Sequence, residues 1–224
     1  MRKGIPALLL TLSLLLCGCR LLPERIPPAG LTVHFIDVGQ ADCALLESGG
    51  EYMLIDGGNR EDGRLVVSYL EQQGVEELAY VVCTHAHEDH VGGLPSVLAV
   101  YPTHAVYAPT RTYASKVFDD FVYYADQQRL EITIPSPGDS WTLGETSVTV
   151  LGPVQSYADP NDTSIILRVE YGDTSFLFTG DMETSAENDM LDYWGSRCRR
   201  WCPQTYRQTG RRCSGCRVPR WHPQ

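Results

Sequence analysis

From Leu31 onward the apolar positions come in short runs with a two-residue rhythm. "LTVHFIDVG" alternates, "CALLES" and "YMLIDGG" follow, and Gly49-Gly50 lies between the last two, so this stretch predicts strands with a hairpin turn. "GRLVVSYLEQQG" has helical apolar spacing instead, and the helix should stop at Gly74. "ELAYVVCT" reads as a buried strand running straight into the polar stretch "THAHEDHVGG". "LPSVLAVYP" then predicts a helix, "HAVYAP" a strand, and "TYASKVFDDFVYYADQQR" a longer amphipathic helix whose aromatic residues pack one face. "EITI", "TSVTVLG", "TSIILRVEYG" and "TSFLFTGD" are strand candidates in succession, and "TSAENDMLDYW" predicts a final helix. Helices interleaved with runs of strands imply a layered α/β domain with mixed sheets.

Both ends of the chain break this pattern. Arg2 and Lys3 precede "IPALLLTLSLLLCGC", which has the charged start and apolar core of a secretory signal and is too short to span a bilayer comfortably. Its close, Leu16-Cys17-Gly18-Cys19, resembles the lipobox of bacterial lipoproteins, which implies cleavage before Cys19 and lipidation of that residue. An ordinary cleaved signal and an uncleaved membrane anchor are the alternatives. "RLLPERIPPAG" reads as a Pro-rich tether. The expected organisation is residues 1–19 as a lipoprotein signal peptide, 20–30 as a linker, 31–194 as the domain and 195–224 as an aberrant tail. The expected location is the extracytoplasmic face of the cell membrane, held by a lipid anchor.

Charge separates the tail from the rest. The 224 residues carry 18 basic and 28 acidic side chains, net -10; residues 1–194 hold 10 of the basic and all of the acidic ones, net -18, against +8 in the tail. So acidic a domain excludes a protein that coats nucleic acid with a basic surface, and any such contact must be local. In the tail, Cys198-x3-Cys202 and Cys213-x2-Cys216 have the pairing of a small zinc ribbon. The bias toward Arg, Cys, Trp, Pro and Gly is also what an out-of-frame reading of a GC-rich gene produces, and that is the favoured reading.

The chemistry concentrates in residues 84–93. His85, His87, Asp89 and His90 place half of the chain's six histidines in six positions, directly after a strand end. Neutral imidazoles and a carboxylate suit Zn(II), and also Mn(II) or Fe(II). The two histidines separated by one residue can turn toward one ion, and the Asp-His pair toward a second. His34 and His104 fall in strand patterns outside any motif and read as structural; Cys43 and Cys83 read as buried small hydrophobes.

Followed by Gly92-Gly93, His85-x-His87-x-Asp89-His90 resembles the signature of the metallo-β-lactamase superfamily. "FIDVGQADCALLES", "MLIDGG", "THAHEDHVGGL" and "NDTSIILRVEYGDTSFLFTGD" are similar, in that order, to the hydrolase domain of ComEC-type DNA-uptake proteins and their free-standing lipoprotein relatives, over residues 31–193. The resemblance implies an αββα sandwich with metals at the edge between two sheets. It implies that His85 and His87 hold one ion, that Asp89 and His90 hold another, and that Asp181 bridges both, making Asp89 and Asp181 the catalytic carboxylates. Taken alone, Asp181 reads equally as a helix N-cap. Asp56 matches a carboxylate that orients a ligand histidine, though by itself it is the turn residue of an Asp-Gly pair. Asp37 and Asn161 match positions near the site, Asn161 where other members use a third histidine.

The implied chemistry is hydrolysis by hydroxide on one or two divalent ions, Zn foremost and Mn as the alternative. The implied substrate is a phosphodiester or nucleic acid. Cleavage of a lactam, thioester or ester, and an inactive metal-binding lipoprotein, are the other readings; no specific protein partner is implied beyond substrate and membrane. "DVGQAD" departs from the usual "DVGQGDS", with Ala41 in place of Gly and Cys43 in place of Ser. The family also continues past its "TGD" helix with further strands and a His-His-Gly-Ser motif, whereas here only His222 follows. The sandwich is therefore expected to be incomplete at its C-terminal end, with exposed apolar faces and sheet edges, poor stability and weak or absent activity.

Overall fold

The computed structural model describes residues 29–197, the side chains of 196 and 197 excepted. The signal peptide with Cys19, nearly all of the linker, and the tail cysteines Cys198, Cys202, Cys213 and Cys216 lie outside the described residues.

The first sheet has six strands in chain order: β1 (Leu31–Phe35), β2 (Ala44–Ser48), β3 (Glu51–Ile55), β4 (Leu78–Val82), β5 (Thr103–Tyr107) and β6 (Ile132–Thr133). β2 pairs antiparallel with both β1 and β3, and β3 through β6 run parallel. The parallel half needs crossovers, which are supplied by α1 (Gly63–Gln72), by α2 (Glu88–Val91) with α3 (Leu94–Val100), and by α4 (Lys116–Gln127). The second sheet is antiparallel throughout, β7 (Ser140–Leu143), β8 (Thr146–Gly152), β9 (Ile166–Tyr171) and β10 (Thr174–Phe178), in the order β10-β9-β8-β7. α5 (Thr184–Arg197) packs against β8, where Trp194 Nε1 donates to the Leu151 carbonyl at 2.8 Å.

Two separate cores follow from the period of two along the central strands. Leu45 of β2 and Tyr52 and Leu54 of β3 point to the helices, where they meet Val66, Leu70, Phe118 and Phe121. Their neighbours Ala44, Leu46, Met53 and Ile55 point the other way and meet Val148, Val150, Leu167 and Val169 of the second sheet. Both faces of β2 and β3 are thus covered, which is why these strands read as apolar runs rather than clean alternation. Each fully buried Leu, Val or Met contributes about 1.5–3 kcal/mol by leaving water. The layers are helix, sheet, sheet, helix, the αββα sandwich expected from the sequence.

The elements differ from expectation where tertiary contacts decide. β1 stops at Phe35, so "IDVG" is a loop and not strand. "EITI" yields only β6, two residues long, which joins the first sheet rather than the strands that follow it. β7 lies over "SWTL", where the preceding turn residues mask the pattern; Trp141 stacks on Tyr107 with centroids 4.5 Å apart. The long helix begins at Lys116 because Ser115 Oγ accepts from Phe118 N at 3.2 Å and caps it. Its Phe118 and Phe121 are buried as expected, whereas Tyr123 is exposed. At the sheet edge, Phe35 is 71% exposed and stacks on Phe178 of β10, centroids 6.2 Å apart.

Candidate metal centre

The site forms where the C-terminal ends of β3 and β4 meet the start of β9 and the end of β10. Val82 ends β4, and the next residues carry the cluster outward: Thr84 and His85 are buried, His87 is half-buried, and His90 is buried again. The cluster is not the loop that its polarity suggests. Glu88–Val91 form the single turn α2, which carries Asp89 and His90, and a four-residue helix is too short to show periodicity. Gly92 and Gly93 allow this turn to sit close to "DGGNR": a Cβ on Gly92 would collide with the backbone of Asn59 and Arg60, and one on Gly93 with the Gly57 carbonyl.

Asp56 is the buttress. It has φ 57°, a left-handed conformation that aspartate tolerates better than most residues, and it is buried. Its Oδ1 accepts from Thr84 N at 2.7 Å, and its Oδ2 accepts from Thr84 Oγ1 at 2.7 Å and pairs with His90 Nδ1 at 2.8 Å. Since the Thr84 hydroxyl proton goes to Asp56, the Thr84 oxygen is left to accept from His85 Nδ1, 3.3 Å away. Both imidazoles then turn Nε2 inward: His85 Nε2 lies 4.0 Å from Asp181 Oδ2, and His90 Nε2 lies 3.3 Å from Asp181 Oδ1. Asp56 thus lies directly behind His90 Nδ1, a position from which a carboxylate can orient an imidazole.

The paired histidines differ in charge. Burial, followed by the neighbouring His90 and His87, depresses His85 to about 3, so it is neutral. Burial also works against charge on His90, but the Asp56 hydrogen bond and the charges of Asp56, Asp181 and Asp42 outweigh it and raise His90 to about 9. His87 Nδ1 lies 3.1 Å from His85 Nε2, at the more open rim beside Tyr113.

Asp181 arrives from β10 through "TGD". Its amide donates to Ser164 Oγ at 3.2 Å, and Ser164 Oγ donates in turn to the Asn161 carbonyl at 2.7 Å. Asp181 is not the helix cap that its sequence position also allowed. Asp162 Oδ1 accepts instead from Glu183 N at 3.0 Å and Ala186 N at 3.3 Å, which leaves the Asp181 carboxylate to the site. A second tie joins the two sheets at this point, since Ile165 N donates to the Thr84 carbonyl at 2.8 Å.

Not every expected residue converges. Ligand atoms of His85, His90 and Asp181 lie within 4.8 Å of one another, and a second group of that kind is Asp42, Asp56 and His90. Among the described residues neither group includes His87 or Asp89. Asn161 Oδ1 is buried without a hydrogen-bond partner, and its Nδ2 donates to Glu183 at 3.3 Å. Asp37 is exposed, and its carboxylate accepts from Gly39 N at 3.2 Å within its own turn. His34 pairs with Tyr69 at 2.9 Å and His104 with Glu77 at 3.3 Å, and neither belongs to a metal-holding group. Cys43 and Cys83 are buried and unpaired; burial pushes both thiols up, away from the reactive thiolate.

Sequence reasoning passed over Thr84, Asp42 and Asp162. All lie inside the stretches singled out above, but each acts through a contact made only in the fold. Asp42's carboxyl is held above its usual range by partial burial, against the attraction of His90 and with the repulsion of Asp56, Asp181 and Asp89.

The chain matches the family model "Metallo-beta-lactamase superfamily" over residues 36–211. It is 27% identical over 199 residues to the Escherichia coli uncharacterized protein YcaI, covering 86% of this chain and 24% of YcaI. It is 27% identical over 175 residues to the competence protein ComA of Neisseria gonorrhoeae, covering 77% of this chain and 23% of ComA. A Klebsiella pneumoniae hydroxyacylglutathione hydrolase is 28% identical over 152 residues, 65% of this chain and 53% of that protein. The chain thus spans about a quarter of the length of YcaI and ComA.

Proposed function

The chain belongs to the metallo-beta-lactamase superfamily and is a hydrolase by family, and from that premise we propose that it cleaves phosphodiesters, nucleic acid among them, while held by Cys19 outside the cytoplasmic membrane. The observation that carries the reading is the convergence of His85 Nε2, His90 Nε2 and the Asp181 carboxylate, with both imidazoles oriented from behind. Two nitrogens and a carboxylate suit Zn(II), with Mn(II) the alternative, and the residues present fit such an ion. His85, His90 and Asp181 would hold it; the resemblance implies His87, 3.1 Å from His85 Nε2, and Asp89, beside His90 on α2, as further ligands.

Bound there, a divalent ion acidifies water toward neutral pH and offsets the negative charge that builds on the oxygens of the scissile group. The protein's own part is preparation. Asp56 fixes the angle of His90, Thr84 fixes the tautomer and angle of His85, and Asp181 adds a negative charge facing both Nε2 atoms. The substrate class is supported by the ordered motif resemblance to ComEC-type domains and by the likeness to a competence protein. The lipobox-like Leu16-Cys17-Gly18-Cys19 supports the anchor.

A second reading, thioester hydrolysis, is favoured by the likeness to a hydroxyacylglutathione hydrolase. The full chain loaded with Zn(II) or Mn(II) separates them when assayed on single-stranded DNA, a bis-aryl phosphodiester and a glutathione thioester. Phosphodiester cleavage that His85→Ala reduces at least about a hundredfold is expected. Turnover of the thioester alone would establish the second reading, and no turnover of any substrate by a metal-loaded chain would leave a metal-binding protein.

A further inference from the structure

We propose that Asp42 is a positioning residue of the metal centre, a carboxylate that strengthens the site's hold on a divalent cation; this rests on the metal-dependent reading above. Asp42 sits between the buried Ala41 and Cys43 and is itself exposed, so its backbone is pinned while its side chain stands out. The pinning is specific: Asp42 N donates to the Asp89 carbonyl at 3.2 Å, and the Asp42 carbonyl accepts from Gly58 N at 2.9 Å. One residue is thus tied both to the helix that carries His90 and to the turn that follows Asp56.

The side chain completes the arrangement, because an oxygen of Asp42, an oxygen of Asp56 and a nitrogen of His90 lie within 4.8 Å of one another. This group is not a cage for a separate ion. The Asp56 oxygens are committed to Thr84 and His90, and the Nδ1 of His90 is committed to Asp56. Asp42's carboxylate has no such commitment, since it makes no hydrogen bond to another described residue. It therefore acts through its charge on whatever His90 and Asp181 hold, and with Asp56 and Asp181 adds negative charge that favours a divalent cation there.

That role has opposite signs with and without metal, which a packing role lacks. Without metal, partial burial and the neighbouring Asp56 and Asp181 together outweigh the attraction of His90 for the Asp42 carboxylate; a bound cation adds an attraction that reverses the balance. In the full chain stripped of metal, Asp42→Asn is expected to melt at the wild-type temperature or above it. The same variant should bind Zn(II) about 10–100-fold more weakly in competition with a chromogenic chelator, and Asp42→Glu should recover part of the loss. Wild-type Zn(II) affinity in Asp42→Asn would overturn the proposal. So would an equal drop in melting temperature with and without Zn(II), which marks a structural residue. A wild-type chain that takes up no divalent ion would instead overturn the reading of the site on which this inference rests.

Discussion

On the wall that the first sheet supplies, His85, His90 and Asp56 are buried and joined through Thr84 into one hydrogen-bonded unit. On the wall that the second sheet supplies, the Asp181 side chain is 42% exposed, and its tie is a backbone amide on Ser164. Folding alone sets the imidazoles, because each polar atom behind them would otherwise be buried without a partner. The Asp181 carboxylate is held from one side only, by its 3.3 Å pairing with His90 Nε2, and its exposed side stays open to what enters the site. The contrast assigns stability to one wall and ligand response to the other.

Several changes would break that contrast. The largest effect belongs to Asp56→Ala, which strands His90 and the Thr84 amide in the interior and should cost about 3–5 kcal/mol in urea melts of the metal-free chain. A loss below about 1 kcal/mol would mean that the first wall is not set by folding.

Next in size is the response to pH, read as metal-free stability across the titration of the two histidines. His90 is raised from 6.5 to about 9, so its contribution is fully present below pH 6.5 and is lost as pH rises through 9. His85 is lowered from 6.5 to about 3, so as pH falls below 6.5 the unfolded chain takes up the proton first and stability declines toward pH 3. The pair together should place a stability maximum near pH 6.5 in denaturant titrations, and saturating Zn(II) should flatten the alkaline side. A flat metal-free profile would show that neither histidine is shifted.

On the second wall, Asp162→Ala removes the acceptor for two amides at the start of α5 and should cost about 1–2 kcal/mol by thermal melting. The smallest change in stability is expected for Asp181→Asn, within about 0.5 kcal/mol without metal, together with a clear loss of Zn(II) binding by calorimetry. A large destabilisation there would erase the difference between the walls.

The histidine cluster was legible because its residues fall within six positions, and Asp181 because it follows a recognisable strand by three residues. The sandwich was legible because β2, β3, β4, β8 and β9 carry strong apolar patterns on both sides of clear turns. What escaped the sequence depends on partners far along the chain. Asp42 and Asp89 are 47 positions apart and meet through a backbone hydrogen bond, and Asp162 caps a helix that starts 22 residues later. β6, with two residues, exists only because β5 offers it an edge. A helix of four residues such as α2 is set by the close packing at Gly92 and Gly93, not by any rhythm of its own.

The hydrogen bond from Ile165 N to the Thr84 carbonyl has one more consequence. It spans from the second sheet to Thr84, which orients His85 and is bonded to the Asp56 carboxylate behind His90, so the sandwich cannot part at this seam while the site stays assembled. The Ile165 amide is therefore a natural clock for separation of the layers: deuterium reaches it only when that seam opens. Its exchange rate reports the lifetime of the assembled site with no substrate present.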